Sequence, residues 1–448
     1  MASAGRSVRR IGASWRSGPM GTKGFRLLAA GQLTSTTGDY CYAVALPWLV
    51  LSGHSLHTGP ALLGIVLACY GVPRTVLIPL GGILADKIGP RRLMLAADVG
   101  RCALVAALAV FAARRLSSVE ILGPVAALIG AGEGLFLPAS FAIMPTLIKP
   151  DQLPAGNALS SAMMQAGSLA GPVLGGILVA TAGSAAAFAA DAASFAVSAV
   201  TLAFISARKT AAVGEVPEGA TADGSVCAGA ADAGSDQPSP AGPTLWQLLR
   251  TARLLQVLLV VTIAANLASG GTFDVALPAL AHARFGAAGY GALLACFGAG
   301  ALLGTLYAAR AGTFVRPAIV AMMAFLAMAI ATGLLPFLWG LPGAAAAILI
   351  LGTTNGFGNV VFITLIQQWA PSQLLGRVMS LVMLASLGSF PLSVALSGLL
   401  VRHIGPSPFF PIAGGLVVLS VAGALGQREV RMLGAGKSAA ADQTTVRA

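Results

Sequence analysis

Twelve apolar runs, each long enough to cross a bilayer, constrain this chain more than anything else in its sequence. They fall at about 26–51, 60–84, 93–112, 120–143, 157–180, 185–206, 254–280, 287–309, 317–339, 342–367, 378–401 and 407–426. A helix needs about 20 such residues to cross a hydrocarbon core ~30 Å thick. Lipid offers the backbone no hydrogen-bond partner, so runs of this kind must be helical. They are too long and too uninterrupted for the roughly ten-residue alternation of β-barrel strands. The sequence therefore predicts an all-α membrane protein with 12 transmembrane helices. Composition agrees, with 56% apolar and only 9% charged residues. A soluble chain carries about 25% charged residues, and one this apolar would expose larger patches than soluble monomers tolerate.

A net charge of +12 invites a nucleic-acid reading, but the basic residues sit in short segments between apolar runs. That is the topological bias that places Lys and Arg on the cytoplasmic side. With the N-terminus inside, 21 basic residues fall in inside segments and 4 in outside ones (Arg114, Arg115, Arg284 and Arg402). An even number of spans in the inner membrane, with both termini cytoplasmic, follows. The first apolar run is too long for the h-region of a cleaved signal peptide, about 7–15 residues, so it reads as a retained span.

The expected organisation is a basic tail over 1–25, a six-helix half over 26–207, a linker over 208–245, a second six-helix half over 246–426 and a tail over 427–448. The linker holds Glu215, Glu218, Asp223, Asp232 and Asp236 among four prolines, so little in it can be buried. The halves echo one another. Val44-Ala45-Leu46-Pro47 returns as Val275-Ala276-Leu277-Pro278, and Leu67-Ala68-Cys69 returns as Leu294-Ala295-Cys296. Pro150-Asp151-Gln152-Leu153 returns as Pro371-Ser372-Gln373-Leu374. The separations are 231, 227 and 221 residues, in register and in order, which points to duplication. Repeated halves around a central path are a common way of building secondary transporters.

The loop after the second span reads Gly82-Ile83-Leu84-Ala85-Asp86-Lys87-Ile88-Gly89-Pro90-Arg91-Arg92. Gly82 permits close helix approach and Gly89 a tight turn. Asp86 is placed to pair with Arg91 or Arg92, or to face a helix N-terminus. This loop resembles the signature loop of the major facilitator superfamily. The resemblance implies a latch on the cytoplasmic side made by Gly82, Asp86, Lys87, Gly89, Arg91 and Arg92, closing against span eleven near Gly376-Arg377-Val378. Pro90 stands where that family usually has a basic residue. In span five, Gly167, Gly171, Pro172, Gly175 and Gly176 resemble the glycine-proline motif of the family's proton-coupled exporters. Small residues allow tight helix packing, and Pro172 removes one backbone hydrogen bond and favours a bend.

Further segments look like the exporter branch that holds the enterobactin exporters and macrolide efflux pumps: Thr37-Gly38-Asp39, Ala45-Leu46-Pro47-Trp48, Met144-Pro145-Thr146-Leu147, Gln367-Gln368-Trp369-Ala370-Pro371 and Gly376-Arg377-Val378-Met379-Ser380. The resemblance runs from about residue 25 to 426 and implies two pseudo-symmetric six-helix halves. Two departures stand out. The matching loop of the second half, Ala308 to Arg316, has no acidic residue, and span four has no arginine between Leu122 and Ile148. The arginine relay of some relatives is therefore not carried over.

Six spans hold ionisable residues away from their ends: Asp39, Arg74, Asp98, Arg101, Glu133, Asp191 and Asp274. A charge at that depth costs about 2.5–3.5 kcal/mol or more, and so implies a use or a partner. Asp39 and Glu133 each lie ~18 Å along the helix from the start of their runs, near mid-bilayer. With Arg101 they are the candidates for proton coupling. Arg74, Asp98 and Asn266 are the candidates for the substrate cavity. Asp98 and Arg101, three apart, share one helix face and can pair. Asp191 and Asp274 lie nearer the outer side and read as structural.

The reading that follows is a secondary transporter exporting a lipophilic small molecule, such as an antibiotic, natural product or siderophore, against a proton gradient. The alternatives are an uptake permease of the same fold and, more remotely, a receptor or scaffold. An ATP-driven pump needs a GxxxxGK[ST] loop, which is absent. A membrane enzyme needs clustered nucleophile or histidine chemistry, and His54, His57, His282 and His403 all fall in or near loops. Five cysteines form no CxxC pair, so no metal site and no cofactor is expected. The partners implied are a small-molecule substrate, protons and the lipid bilayer, without nucleic acid, and the chain reads as a monomer.

Overall fold

A computed structural model describes residues 18–55, 58–115, 118–205, 253–310, 317–338, 340–369 and 375–427. The 208–245 linker, most of the N-terminal tail and nearly all of the C-terminal tail lie outside these residues. The described residues form long helices and no strand. In chain order these are α1 (Lys23–Ser52), α2 (Gly59–Ile88), α3 (Pro90–Ala113), α4 (Val119–Ala142), α5 (Leu153–Ala182) and α6 (Ser184–Phe204). The second set begins with α7, which runs through Arg253–Gly271, a π-helical turn at Thr272–Ala276 and Leu277–Arg284. It continues with α8 (Gly286–Arg310), α9 (Pro317–Leu334), α10 (Gly340–Trp369), α11 (Leu375–Ile404) and α12 (Pro406–Gly426).

Each expected span is recovered, and most helices outrun their apolar stretch by a few residues where the chain enters the polar interface. Eleven helices are long and apolar enough to cross a membrane. The twelfth, α1, is long enough at 30 residues but carries Gln32, Thr34, Ser35, Thr36, Thr37 and Asp39. It is held instead by packing between α5 and α6.

Packing repeats with a shift of six helices. Within the first set, α1 packs on α5 and α6, α2 on α4, and α3 on α4 and α6. Within the second, α7 packs on α11 and α12, α8 on α10, and α9 on α10 and α12. The contacts between halves obey the same exchange, α2 with α11 and α5 with α8. Two turns repeat as well. Gly183 before α6 has φ 82 and ψ 171, and Gly405 before α12 has φ 81 and ψ 168. Only glycine adopts such angles without strain, so these two positions preserve the duplication where the surrounding sequence has lost it.

The connections define two ends of the bundle. One carries Asp86 between α2 and α3, and the other carries Gly183 between α5 and α6; they are called the Asp86 end and the Gly183 end below. Near the Gly183 end the halves touch through two glycine pairs. A Cβ on Gly64 of α2 would meet Gly398 Cα of α11 at 3.0 Å, and one on Gly291 of α8 would meet Gly176 Cα of α5 at 3.0 Å. Gly64 and Gly291 are equivalent under the 227-residue repeat, so one close-packed contact is used twice. Backbones this near gain dispersion contacts that larger side chains would prevent.

Candidate functional site

The interior surface of α1 organises the site. Gln32, Thr36, Asp39, Tyr40 and Ala43 recur at three- or four-residue steps, so they share one face. That face spans ~16 Å of helix. Its first part, through Asp39, lines a chamber of about 300 Å³ with Arg101 of α3, Glu133 and Phe136 of α4, and Asn157, Ser160 and Met164 of α5. Ser140, Phe141 and Met144 form the rim toward the Asp86 end, and Phe141 is 69% exposed. The side-chain oxygens of Gln32 and Ser160 have no hydrogen-bond partner among the described residues.

Three of the expected charges meet in one group, two of them buried. Arg101 Nη2 donates to Asp98 Oδ1 at 2.7 Å, and Ser198 of α6 donates to Asp98 Oδ2 at 2.6 Å. The Arg101 guanidinium also lies over the rings of Phe136 and Phe195, 4.7 and 4.3 Å from their centroids. Its remaining reach is toward Asp39 Oδ1, at 4.0 Å. Asp98 is fully buried and Arg101 almost so, whereas the Asp39 side chain is 48% exposed to the chamber. Asp98 thus fixes Arg101, and Arg101 presents positive charge to Asp39. A second pair lies beside it: Arg74 Nη2 sits 3.0 Å from Glu133 Oε1, and the Tyr70 hydroxyl donates to Glu133 Oε2.

Several sequence expectations are redrawn by this geometry. Asp98, a candidate for the substrate cavity, makes the pair with Arg101 that their three-residue spacing allows and is buried beneath it. Asn266 donates to the Thr262 carbonyl of its own helix at 2.8 Å and lines neither chamber described here. Arg74 is held by Glu133. Asp191, expected to be structural, is buried, with its carboxylate accepting from Ser194 at 3.3 Å. It also explains Gly38, where a Cβ would collide with Ser194 and Asp191.

Asp274 behaves otherwise. It lies in the π-helical turn of α7 and lines a second chamber, of about 260 Å³, directly beyond the first. This chamber is shared between halves, with Tyr40 and Ala43 of α1, Gln165 and Ser168 of α5, and residues of α7 and α8. No periodicity in the sequence marks the π turn. The signal for Asp274 was the rarity of charge at that depth; its place nearer the outer side suggested a structural role and gave no sign of the chamber.

The glycine-proline motif packs α5 against both halves. Gly167, Gly171 and Gly175 face α1, where Cβ atoms would approach Thr36 Cγ2 at 2.9 Å, the Thr37 carbonyl at 2.6 Å and Cys41 Cα at 2.8 Å. Gly176 faces α8 of the other half. Helix α5 runs without interruption through Pro172.

The loop motif is partly reassigned. Gly89 has φ 89, the turn expected of it. Gly82 has open space where a Cβ would stand. Its neighbour Gly81 makes the close approach, with Pro138 Cγ 2.8 Å and the Gly134 carbonyl 2.9 Å from a built Cβ. The two positions lie on different faces of the helix, and only Gly81 abuts α4. Asp86 and Lys87 are exposed, and no ion pair involves them among the described residues. Arg91 instead caps α6, donating from Nε to the Leu202 carbonyl at 2.8 Å and from Nη2 to that of Ala203. The Arg377 side chain, on the expected receiver of the latch, lies outside the described residues.

The family model for the Major Facilitator Superfamily matches residues 28–288, more than half of the chain. The chain belongs to the Major Facilitator Superfamily. Relatives within it include the uncharacterised MFS-type transporter YfiS of Bacillus subtilis, 27% identical over 415 residues, covering 89% of this chain and 91% of that protein. The multidrug efflux pump Tap of Mycolicibacterium fortuitum is 24% identical over 387 residues, covering 85% and 89%. Among solved structures, an auto-inhibited POT family peptide transporter superposes with TM-score 0.67 at 15% identity, covering 89% of this chain and 95% of that one. A D-xylose–proton symporter superposes with TM-score 0.63 at 14% identity, covering 89% and 96%. Membership of this superfamily makes the chain a multi-pass membrane transporter and not an enzyme. The superpositions, at such low identity, speak for the fold alone.

Proposed function

We propose that this transporter is a proton-coupled exporter of a lipophilic small molecule, lying in the inner membrane with both termini in the cytoplasm. The observation that carries the reading is the half-exposed Asp39 carboxylate, lining the open chamber within 4.0 Å of a guanidinium that Asp98 holds in place. A carboxylate in that position gains or loses a proton at little structural cost, because Arg101 keeps its stronger partner in either state. The 21-to-4 distribution of basic residues favours the Asp86 end as cytoplasmic. The likeness to a multidrug efflux pump favours export.

In this reading the halves rock about the chambers. With the glycine pairs closed, cargo enters from the Asp86 end. Protonation of Asp39 from the opposite side accompanies release, and loss of that proton inward resets the cycle. Uphill efflux from proteoliposomes under an imposed pH gradient is the test. Efflux of a substrate found by screening should collapse with an uncoupler, and Asp39→Asn should abolish uphill but not downhill movement. Wild-type efflux indifferent to the uncoupler overturns proton coupling. Uphill accumulation in the direction of the Asp86 end overturns export in favour of uptake.

A further inference from the structure

We infer that the second chamber, called the inner chamber below, is a subsite for an organic monocation, with Asp274 as its counter-ion and aromatic rings as its walls. The inference rests on the transporter reading above and names the chemistry of the cargo.

Five carboxylates stand away from the ends of the spans, against two guanidinium groups: Asp39, Asp98, Glu133, Asp191 and Asp274 against Arg74 and Arg101. Both arginines are committed. Arg101 bonds Asp98 at 2.7 Å and reaches toward Asp39, and Arg74 sits 3.0 Å from Glu133. Asp191 is buried and accepts from Ser194. Asp274 alone of the five lines a chamber without a hydrogen bond or a basic group within 4 Å among the described residues. The charge of Arg74 acts on it from a greater distance. A carboxylate kept in that condition inside a membrane implies a partner that comes and goes.

The walls fit the same partner. Phe273 and Phe297 meet with centroids 4.3 Å apart, and Tyr40 and Tyr290 complete an aromatic lining around Asp274. The Tyr290 hydroxyl donates to the Phe273 carbonyl, at 3.3 Å, where the π turn disturbs the regular ladder. π-Helical turns frequently mark functional positions in helices. Ring faces attract alkylammonium and aryl cations most when water is excluded. The chamber also takes residues from α1, α5, α7 and α8, so an occupant bridges both halves. Its volume of about 260 Å³ suits a compact cation carrying one ring or a few alkyl arms.

The test is equilibrium binding of benzyltrimethylammonium to the purified full chain at constant pH, without any gradient, with benzyl alcohol and benzoate as neutral and anionic controls. Saturable binding of the cation alone is expected. Asp274→Asn should weaken it at least tenfold and Phe297→Leu several-fold, whereas Gly82→Ala, at an open position away from both chambers, should leave it unchanged. Each variant is first checked for wild-type elution as a monodisperse species. If Asp274→Asn does not yield folded protein, Phe297→Leu and Asp274→Glu carry the decision, the latter retaining binding. Equal binding of cation and alcohol, or loss of cation binding in Asp39→Asn but not in the chamber variants, overturns the inference. Because no gradient is imposed, the two readings fail separately. Cation binding without uphill efflux removes the exporter, whereas uncoupler-sensitive efflux of a neutral compound without cation binding removes this subsite.

Discussion

The Trp48 indole of α1 and the His282 imidazole of α7 meet with ring centroids 4.7 Å apart, one from each half. Both lie toward the Gly183 end from the inner chamber, Trp48 five residues beyond Ala43 and His282 eight beyond Asp274. They stand between that chamber and the Gly183 end. Trp48→Ala removes the larger ring and should loosen this closure. In a cysteine-free background, a Tyr40→Cys reporter should react with a membrane-impermeant thiol reagent from the Gly183 side several-fold faster once Trp48 is Ala. Equal rates with and without Trp48 would show that the rings do not seal the path.

The glycine pairs make a second, steric prediction. A side chain at Gly291 runs into the Pro172 carbonyl and the Gly176 backbone. Overpacking of that kind costs about 1–3 kcal/mol. Gly291→Val should lower thermal stability in detergent and block transport by holding the Gly183 end apart. Gly82→Ala, where open space surrounds the Cβ, should leave both unchanged. A stability loss at Gly82 equal to that at Gly291 would contradict the packing.

Asp98 and Asp39 share one arginine but should differ sharply when removed. Asp98→Ala leaves a buried guanidinium without its counter-ion, a loss of about 3–5 kcal/mol. Asp39→Ala removes a half-exposed group at 4.0 Å, so its effect on stability should stay within about 1 kcal/mol. Thermal unfolding of the two variants side by side checks the order, and similar midpoints would mean that Asp98 is not the anchor.

Arg91 should act through α6. Its bonds to the Leu202 and Ala203 carbonyls close the last turn of that helix. A basic side chain at a helix C-terminus contributes about 0.3–1 kcal/mol. Arg91→Gln should therefore cost about that much and speed hydrogen exchange at the end of α6, with Arg91→Lys partly restoring protection. Unchanged exchange there would return Arg91 to a role in topology alone.

The helices were legible because lipid imposes one solution on every long apolar run, and the duplication was legible in Val44–Pro47 against Val275–Pro278. Asp39, Glu133 and Arg101 were legible for a related reason: charge inside a membrane is rare enough to single out each residue. What one chain cannot reveal is which helices touch. Asp98 and Asn266 were both candidates for the substrate cavity, yet one lies beneath Arg101 and the other bonds its own helix. Gly81 and Gly82 differ only in which face of α2 they occupy, and local sequence does not say where α4 lies. Asp274 does lie nearer the outer end of α7, as its position in the span suggests, but the sequence does not show that it lines a chamber.

The intramembrane charges are unevenly shared between two halves that otherwise repeat each other. Asp39, Arg74, Asp98, Arg101, Glu133 and Asp191 all belong to the first, and Asp274 alone to the second. The repeated scaffold carries its ionic groups almost entirely in the first half. The other is free to vary where it lines the inner chamber, since substitutions at Phe273, Leu294 or Phe297 touch none of the arginine pairs. If the second chamber takes the cargo, changes in α7 and α8 alter what is carried while the charged residues of α1, α2, α3, α4 and α6 stay as they are.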